Sequence, residues 1–170
     1  LLEMLSLMGA DLRLVNHRSA GAEPVADIEI RPAPLHGVAI PARLVPLAID
    51  EFPMVFVAAA LARGETIVSG AAELRHKESD RISVMVAGLR ALGIEVEELP
   101  DGARIQGGTF SGGTIDSRGD HRVAMAFAVG DARAAGPVRS LDTANEATSF
   151  PGFVNQAAAV GLTIKAEQGG

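Results

Sequence analysis

The chain has 170 residues, of which 48% are hydrophobic and 21% are charged, and its formal net charge is -6. This profile predicts one globular domain with a sizeable core and disfavours disorder. A negative chain lacks the positive field that attracts nucleic acid or an anionic membrane, so neither is expected as a partner. The sequence has no cysteine. This excludes disulfides, thiolate metal ligands and a cysteine nucleophile.

The first residues open inside an amphipathic helical pattern. Leu1, Met4, Leu5 and Met8 recur at helical spacing, and no Ser, Thr, Asp or Asn precedes them as a cap. We therefore expect a piece of a longer protein, although an expression boundary would give the same pattern. The apolar runs are far shorter than the roughly 20 residues that a membrane helix needs, and no secretory signal is visible.

One sequence device occurs three times along the chain. In MGADLRLV, LGIEVEEL and VGLTIKAE, a glycine follows a helical pattern and precedes an alternating strand pattern. Glycine adopts the positive φ with which many helices end, and the strand then starts at once. We therefore predict helix ends at Gly9, Gly93 and Gly161, each followed by a strand.

Two longer copies align without a gap. The segment IEIRPAPLHGVAI, residues 28–40, matches ARIQGGTFSGGTI, residues 103–115, and an acidic residue, an apolar helix, a glycine and a strand follow each copy. The third copy stops after Lys165. The repeats predict one α/β domain of three similar helix-and-sheet units around buried helices, with the third unit incomplete. The matched pairs are Ile30 with Ile105, Leu35 with Phe110, Gly37 with Gly112, and Ile40 with Ile115.

Polar residues gather where the helices are predicted to begin. Pro53 suits a first helical turn, and Asp50 is expected to help cap it. The next helix is expected to start near Ser79 or Asp80, and the inner helices that follow are expected to open at GDHR and at SFP. If rotation relates the units, these helix heads lie on one rim. Helix heads favour anions through their free N–H groups and dipoles.

The stretch LRHKESDRI, residues 74–82, is unusually polar for a segment flanked by apolar sequence. It predicts one wall of an anion-binding and proton-transferring site. The alternative is a solvated face in which Lys77 and Arg81 pair with Glu78 and Asp80. The later GDHR favours a site, because it repeats an acid and an arginine, with a histidine between them, at the equivalent place in the next unit.

In their order, IDEFP, ELRHKESDRI, GDHRVAMAFAV and ATSFPGF resemble the C-terminal half of the 5-enolpyruvylshikimate-3-phosphate synthases, a family of enolpyruvyl transferases. The resemblance covers nearly the whole chain. It implies a fold of two domains, each of three βαβαββ units with buried parallel helices. Residues 1–170 would form the single C-terminal domain, on the phosphoenolpyruvate side. The N-terminal domain would be absent, and the start of the parent polypeptide would complete the third unit.

The resemblance also implies a reaction. The family transfers the enolpyruvyl group of phosphoenolpyruvate to the 5-hydroxyl of shikimate 3-phosphate and releases phosphate, in the pathway to aromatic amino acids. No metal or organic cofactor is expected. The complete enzyme is expected to be a cytoplasmic monomer, and its partners would be the two substrates and the missing domain. Glyphosate would occupy the phosphoenolpyruvate region.

The motif positions imply roles for individual residues. Asp50 resembles the carboxylate near the shikimate 5-hydroxyl, acting as a base or orienting group, and Glu78 resembles the proton carrier for the enolpyruvyl carbon. Lys77 resembles the lysine that contacts the shikimate substrate and the reacting region. The residues expected to bind phosphoenolpyruvate or support its clamp are Arg81, Arg122 and His121. For His121 the alternative is a structural histidine satisfied by Asp120 or by backbone.

Three further readings stay open. Some family members carry a lysine just before the Ser-Phe-Pro segment, whereas this chain has Thr148, so the resemblance implies no phosphate contact from Thr148 or Ser149. The nearest alternative enzyme is the UDP-N-acetylglucosamine enolpyruvyl transferase, although KESDRI and GDHRVAM favour the shikimate enzyme. A noncatalytic anion-binding repeat module is the alternative of another class.

A chain that is half of the enzyme is expected to be inactive alone. The sequence also shows no metal-ligand spacing, so no metal site is expected.

Overall fold

The computed structural model describes residues 1–143 and 149–164. Its helices are α1 Leu2–Leu7, α2 Phe52–Ala60, α3 Arg81–Ala91, α4 His121–Asp131 and α5 Phe153–Ala159. Its strands are β1 Asp11–Ala20, β2 Glu23–Arg31, β3 Glu65–Val68, β4 Val96–Leu99, β5 Gly102–Gln106, β6 Gly113–Asp116 and β7 Val138–Leu141. Helices are interspersed with strands along the chain, and the predicted α/β class is confirmed.

The strands form three sheets in the described part of the chain. β1 and β2 make an antiparallel hairpin, and β5 lies between β3 and β4 in an antiparallel sheet. β6 and β7 pair in parallel, which a tight hairpin cannot connect, and α4 makes the crossover between them.

The predicted repeats are visible in the backbone. Gly9, Gly93 and Gly161 all have positive φ, between 86° and 94°, as predicted for the ends of helices. The parallel pairing of β6 with β7 has its counterpart in the bridges His36–Arg63 and Ala39–Ile67. The first repeat thus uses the same strand geometry in shorter form.

The aligned pair Gly37 and Gly112 has a steric reason. A Cβ atom on Gly37 would lie 2.2 Å from the carbonyl oxygen of Glu65, and one on Gly112 would lie 2.7 Å from the carbonyl carbon of Gly136. In both repeats the backbone of the following parallel segment comes too close for any side chain. Glycine is therefore required at the same register position twice.

The aligned pair Ile30 and Ile105 differs in burial. Ile105 is fully buried in the middle strand β5, whereas 67% of Ile30 is exposed on β2. β5 has neighbours on both edges, while the described residues pair β2 with β1 alone. The alignment of the two segments predicts that both form strands, but it does not predict which of the two side chains is buried.

The core lies between the inner helices and the sheets. Most of α2 is buried, including both of its phenylalanines, and the ring of Phe127 on α4 lies 6.4 Å from that of Phe110. Gly88 of α3 leaves room for the Phe127 ring, since a Cβ atom there would lie 2.5 Å from it. The prediction that FVAAALA and VAMAFAV form buried helices is confirmed.

The last helix starts slightly later than SFP predicts. α5 begins at Phe153 with Gly152 as its N-terminal flank, and Ser149 is exposed. Thr148 and Lys165 lie outside the described residues. Within the described residues, no helix combines the length and the apolar character that a membrane crossing requires.

Candidate active site

The heads of α2, α3 and α4 meet around the side chain of Arg81. Its Nε donates to Asp120 at 2.8 Å, Nη1 donates to Asp50 at 2.9 Å and Nη2 donates to Glu78 at 2.5 Å. Only 1% of the Arg81 side chain is exposed. The predicted gathering of helix heads on one rim is confirmed for these three helices.

Local sequence explains where the helices begin. Asp80 caps α3 by accepting a hydrogen bond from Ser83 N, and Asp120 caps α4 by accepting from Arg122 N and Val123 N. Aspartate is among the preferred N-cap residues, because its carboxylate satisfies N–H groups that have no partner in the helix.

The predicted cap by Asp50 is wrong. The head of α2 has no side-chain cap, and Pro53 stands in its first turn as expected. Asp50 lies in a short 3-10 turn, Ile49–Glu51, and its carboxylate instead contacts Arg81 and Lys77. The basic neighbours from another segment attract the carboxylate more strongly than the dipole of its own helix does.

Arg75 holds the polar segment in place. Its guanidinium donates to the backbone oxygens of Leu99 and Pro100 and to the carboxylates of Asp80 and Glu98, at 2.7 to 3.0 Å. These bonds tie the loop of Lys77 and Glu78 to the hairpin of β4 and β5. Arg75 was not predicted, although it stands in the motif ELRHKESDRI.

Burial and charge act on Arg81 and Asp120 in opposite directions. Desolvation alone would lower the pKa of Arg81 and raise the pKa of Asp120, because it penalises both charged forms. Their mutual hydrogen bond and charge attraction outweigh this effect. The pKa of Arg81 is therefore raised and that of Asp120 is lowered, so both side chains are charged at neutral pH.

Lys77 and Asp50 form the next ion pair outward. Lys77 Nζ lies 3.4 Å from Asp50 Oδ1 and 2.7 Å from Glu73 Oε1. The hydrogen bond to Glu73 is the main reason that the pKa of Lys77 is raised; desolvation opposes it, and the hydrogen bond to Asp50 adds to it. Partial burial would raise the pKa of Asp50, but the bonds from Arg81 and Lys77 lower it. Asp50 is thus an ionised acceptor.

Glu78 is the most accessible of the predicted acids that contact Arg81. About half of its side chain is exposed, and it lines an open cavity of about 540 Å³ between α3 and β6. Thr114 and Asp116 line the opposite wall. A carboxylate that is held by a buried arginine at one oxygen and open to a cavity can accept or deliver a proton.

Arg122 extends the cationic wall from α4. Its Nη1 donates to the backbone oxygen of Asp50 at 3.0 Å and to Glu51 at 3.2 Å, and 36% of its side chain is exposed. Glu51 was not predicted as part of the site. Its position beside Asp50 in IDEFP was the available signal.

His121 stands half-buried at the head of α4. The Asp120 carboxylate accepts from Arg81, Ser79 and two backbone N–H groups, and none of the hydrogen bonds found among the described residues joins it to the His121 ring. In this arrangement Asp120 is therefore not a hydrogen-bond partner of the His121 ring. Within the described residues, no group of three His, Asp or Glu side chains could hold a metal ion.

A family model described as EPSP synthase (3-phosphoshikimate 1-carboxyvinyltransferase) matches residues 1–157 of the chain. The chain belongs to the EPSP synthase family. A protein from Xanthomonas campestris, named 3-phosphoshikimate 1-carboxyvinyltransferase, is 59% identical over 98% of this chain and 38% of its own length. A relative of the same name from Acidithiobacillus ferrooxidans is 58% identical over 97% of this chain.

The fold of an EPSP synthase from Acinetobacter baumannii matches this chain with a TM-score of 0.95 and 48% identity. That match covers 98% of this chain and 40% of the solved one. The chain therefore spans about two fifths of the length of these EPSP synthase relatives. The resemblance of the motifs to this family and the predicted fold are confirmed.

Proposed function

We propose that residues 1–170 form the C-terminal domain of a two-domain enzyme that transfers the enolpyruvyl group of phosphoenolpyruvate to the 5-hydroxyl of shikimate 3-phosphate and releases phosphate. The observation that supports it best is Arg81, buried at three helix heads and bonded to three carboxylates from separate segments. Membership of the EPSP synthase family is the basis for naming the two substrates and a second domain. A cytoplasmic, monomeric enzyme is part of the same proposal.

Arg81 and Arg122 grip the carboxylate and phosphate of phosphoenolpyruvate. Both guanidiniums lie at the heads of helices, where the dipoles add to their positive charge. Planar forks of donors match both anionic groups. Glyphosate, which is also an anion, binds in the same region of the complete enzyme, and His121 supports the clamp at the head of α4.

Glu78, Asp50 and Lys77 move and orient the protons. Glu78 delivers one to the enol methylene carbon and takes one back when phosphate leaves, a role supported by its half-exposed carboxylate beside Arg81. Asp50 is ionised and accepts the proton of the attacking hydroxyl or orients it. Lys77 lies 3.4 Å from Asp50 and contacts the shikimate substrate and the reacting region.

A chimera tests this function. Its N-terminal part comes from the Xanthomonas campestris relative and its C-terminal part is this chain, which is feasible at 59% identity. We expect the chimera to release phosphate only when both phosphoenolpyruvate and shikimate 3-phosphate are present, and this chain alone to release none. A chimera that folds but is inactive, or a chain that turns over alone, contradicts the proposal.

A further inference from the structure

Asp120 joins the two helix heads that carry the arginines. Its side chain is fully buried, and Oδ2 accepts hydrogen bonds from Arg81 Nε at 2.8 Å and Ser79 Oγ at 3.1 Å. Oδ1 accepts from the backbone N–H groups of Arg122 at 3.0 Å and Val123 at 3.3 Å. One carboxylate thus contacts the segment before α3, the first side chain of α3 and the first turn of α4.

Arg81 meets Asp120 along one edge of its guanidinium. Nε donates to Asp120 Oδ2 at 2.8 Å and Nη2 reaches Asp120 Oδ1 at 3.5 Å, whereas Nη1 donates to Asp50 and Nη2 also donates to Glu78. A guanidinium is planar, so a bond that holds its Nε edge sets the plane and the direction of both Nη groups. Asp120 therefore decides where Arg81 points its outer donors.

We infer that Asp120 is a positioning residue that orients Arg81 and fixes the turn bearing Arg122, so that both guanidiniums face one doubly charged anion. The inference rests on the proposed function, in which that anion is phosphoenolpyruvate. Asp120 touches no substrate in this role and acts through the two arginines.

A purely structural role for Asp120 makes a different prediction. Removing one partner of a buried ion pair destabilises a fold, because the other charge is left unpaired. Fewer folded molecules lower kcat per total protein but leave both KM values unchanged. A rise in one KM alone therefore identifies positioning.

The variant Asp120→Asn in the chimera tests the inference. Asparagine caps a helix about as well as aspartate, but its amide cannot both accept from the α4 turn and offer a charged acceptor to Arg81. We expect KM for phosphoenolpyruvate to rise at least about tenfold, while KM for shikimate 3-phosphate stays within about twofold.

The matched control is Asp131→Asn, the same substitution at the far end of α4. The Asp131 carboxylate accepts from Val138 N at 2.8 Å, which an amide oxygen can also do. Both KM values should stay unchanged. In an Arg81→Lys background, Asp120→Asn should add little, since the two residues act as one unit. Independent multiplying effects, or a lower kcat with both KM values unchanged, overturn the inference.

Titration of the chimera with inorganic phosphate separates this inference from the proposed function. A chimera without turnover contradicts the proposed function. Even then, a phosphate affinity at least tenfold weaker in Asp120→Asn supports the inference that Asp120 positions the two arginines. Equal phosphate affinity in both proteins overturns the inference, as does an unmutated chimera that binds no phosphate.

Discussion

The two ends of the inner helices both carry arginines but differ in how these are held. At the near rim, formed by the heads of α2, α3 and α4, Arg81 is buried and carboxylates fix its direction. At the far rim, where α2 and α4 end, Arg63 and Arg133 are exposed beside an open cavity of about 470 Å³. Neither takes part in an ion pair found among the described residues.

The difference shows that positive charge alone does not make an anion site. Arg63 and Arg133 follow the last turns of α2 and α4, which hold no basic residue, whereas Arg81 and Arg122 lie in first turns and add to the dipole field there. At the near rim one buried carboxylate, Asp120, and two half-exposed ones, Asp50 and Glu78, hold the Arg81 guanidinium. We therefore expect function to depend on the near rim and stability on both.

The largest effect is expected for proton transfer at the near rim. Glu78→Gln in the chimera should lower kcat by roughly 10² to 10⁴-fold, the usual contribution of general acid–base catalysis, with much smaller changes in KM. Steady-state kinetics measure this. Thr109 lines the cavity at the far rim, and the control Thr109→Ala should leave kcat unchanged. A normal kcat in Glu78→Gln would remove Glu78 from the mechanism.

A smaller effect is expected for the arginines, and it compares the rims directly. Arg122→Ala should raise KM for phosphoenolpyruvate by about 10- to 100-fold, as for a lost charged hydrogen bond, with little change in KM for shikimate 3-phosphate. Arg133→Ala removes the same charge at the far rim and should change neither KM. Equal effects of both variants would show that only net charge matters.

Far-rim glycines should affect stability without affecting catalysis. A Cβ atom on Gly107 would lie 1.8 Å from the backbone oxygen of Ala62, so Gly107→Ala should destabilise the fold by about 1–3 kcal/mol. On Gly108 the nearest atom is the flexible Ile94 Cδ1 at 3.3 Å, and Gly108→Ala should cost far less. Thermal unfolding of the chimera distinguishes them, and equal midpoints would contradict the steric account.

The smallest effect concerns acid stability of the near rim. The pKa of Asp120 is lowered in the fold, so its contribution to the unfolding free energy is present above its usual value of 3.8 and is lost as pH falls below it. The stability advantage of wild type over Asp120→Asn should therefore shrink below about pH 4. Denaturant unfolding from pH 7 to pH 3 measures this. A constant difference would mean that Asp120 titrates normally.

Much of the fold follows from local signals in the sequence. Glycine at Gly9, Gly93 and Gly161 predicts where helices end, and all three have positive φ. The apolar stripe and acidic cap of α3 predict its start within two residues. The residues around the site were also predictable, since the motifs name Asp50, Lys77, Glu78, Arg81 and Arg122, and the structure brings them together.

The features that the sequence did not predict depend on contacts between residues that are distant along the chain. Asp50 looks like a cap in sequence but pairs with Arg81, 31 residues away. Asp120 looks like a cap and is one, yet its bond to Arg81 could not be read from its neighbours. Ile30 and Ile105 align, and only the sheet order makes one exposed and the other buried.

By itself the sequence determined the repeats, the helix ends and the residue types at the near rim, because backbone sterics and periodicity act over a few residues. Only the tertiary structure decided which carboxylate each arginine meets and which strand is covered. Those outcomes depend on burial and distance between separate segments, where the loss of water makes a single charge pair decisive.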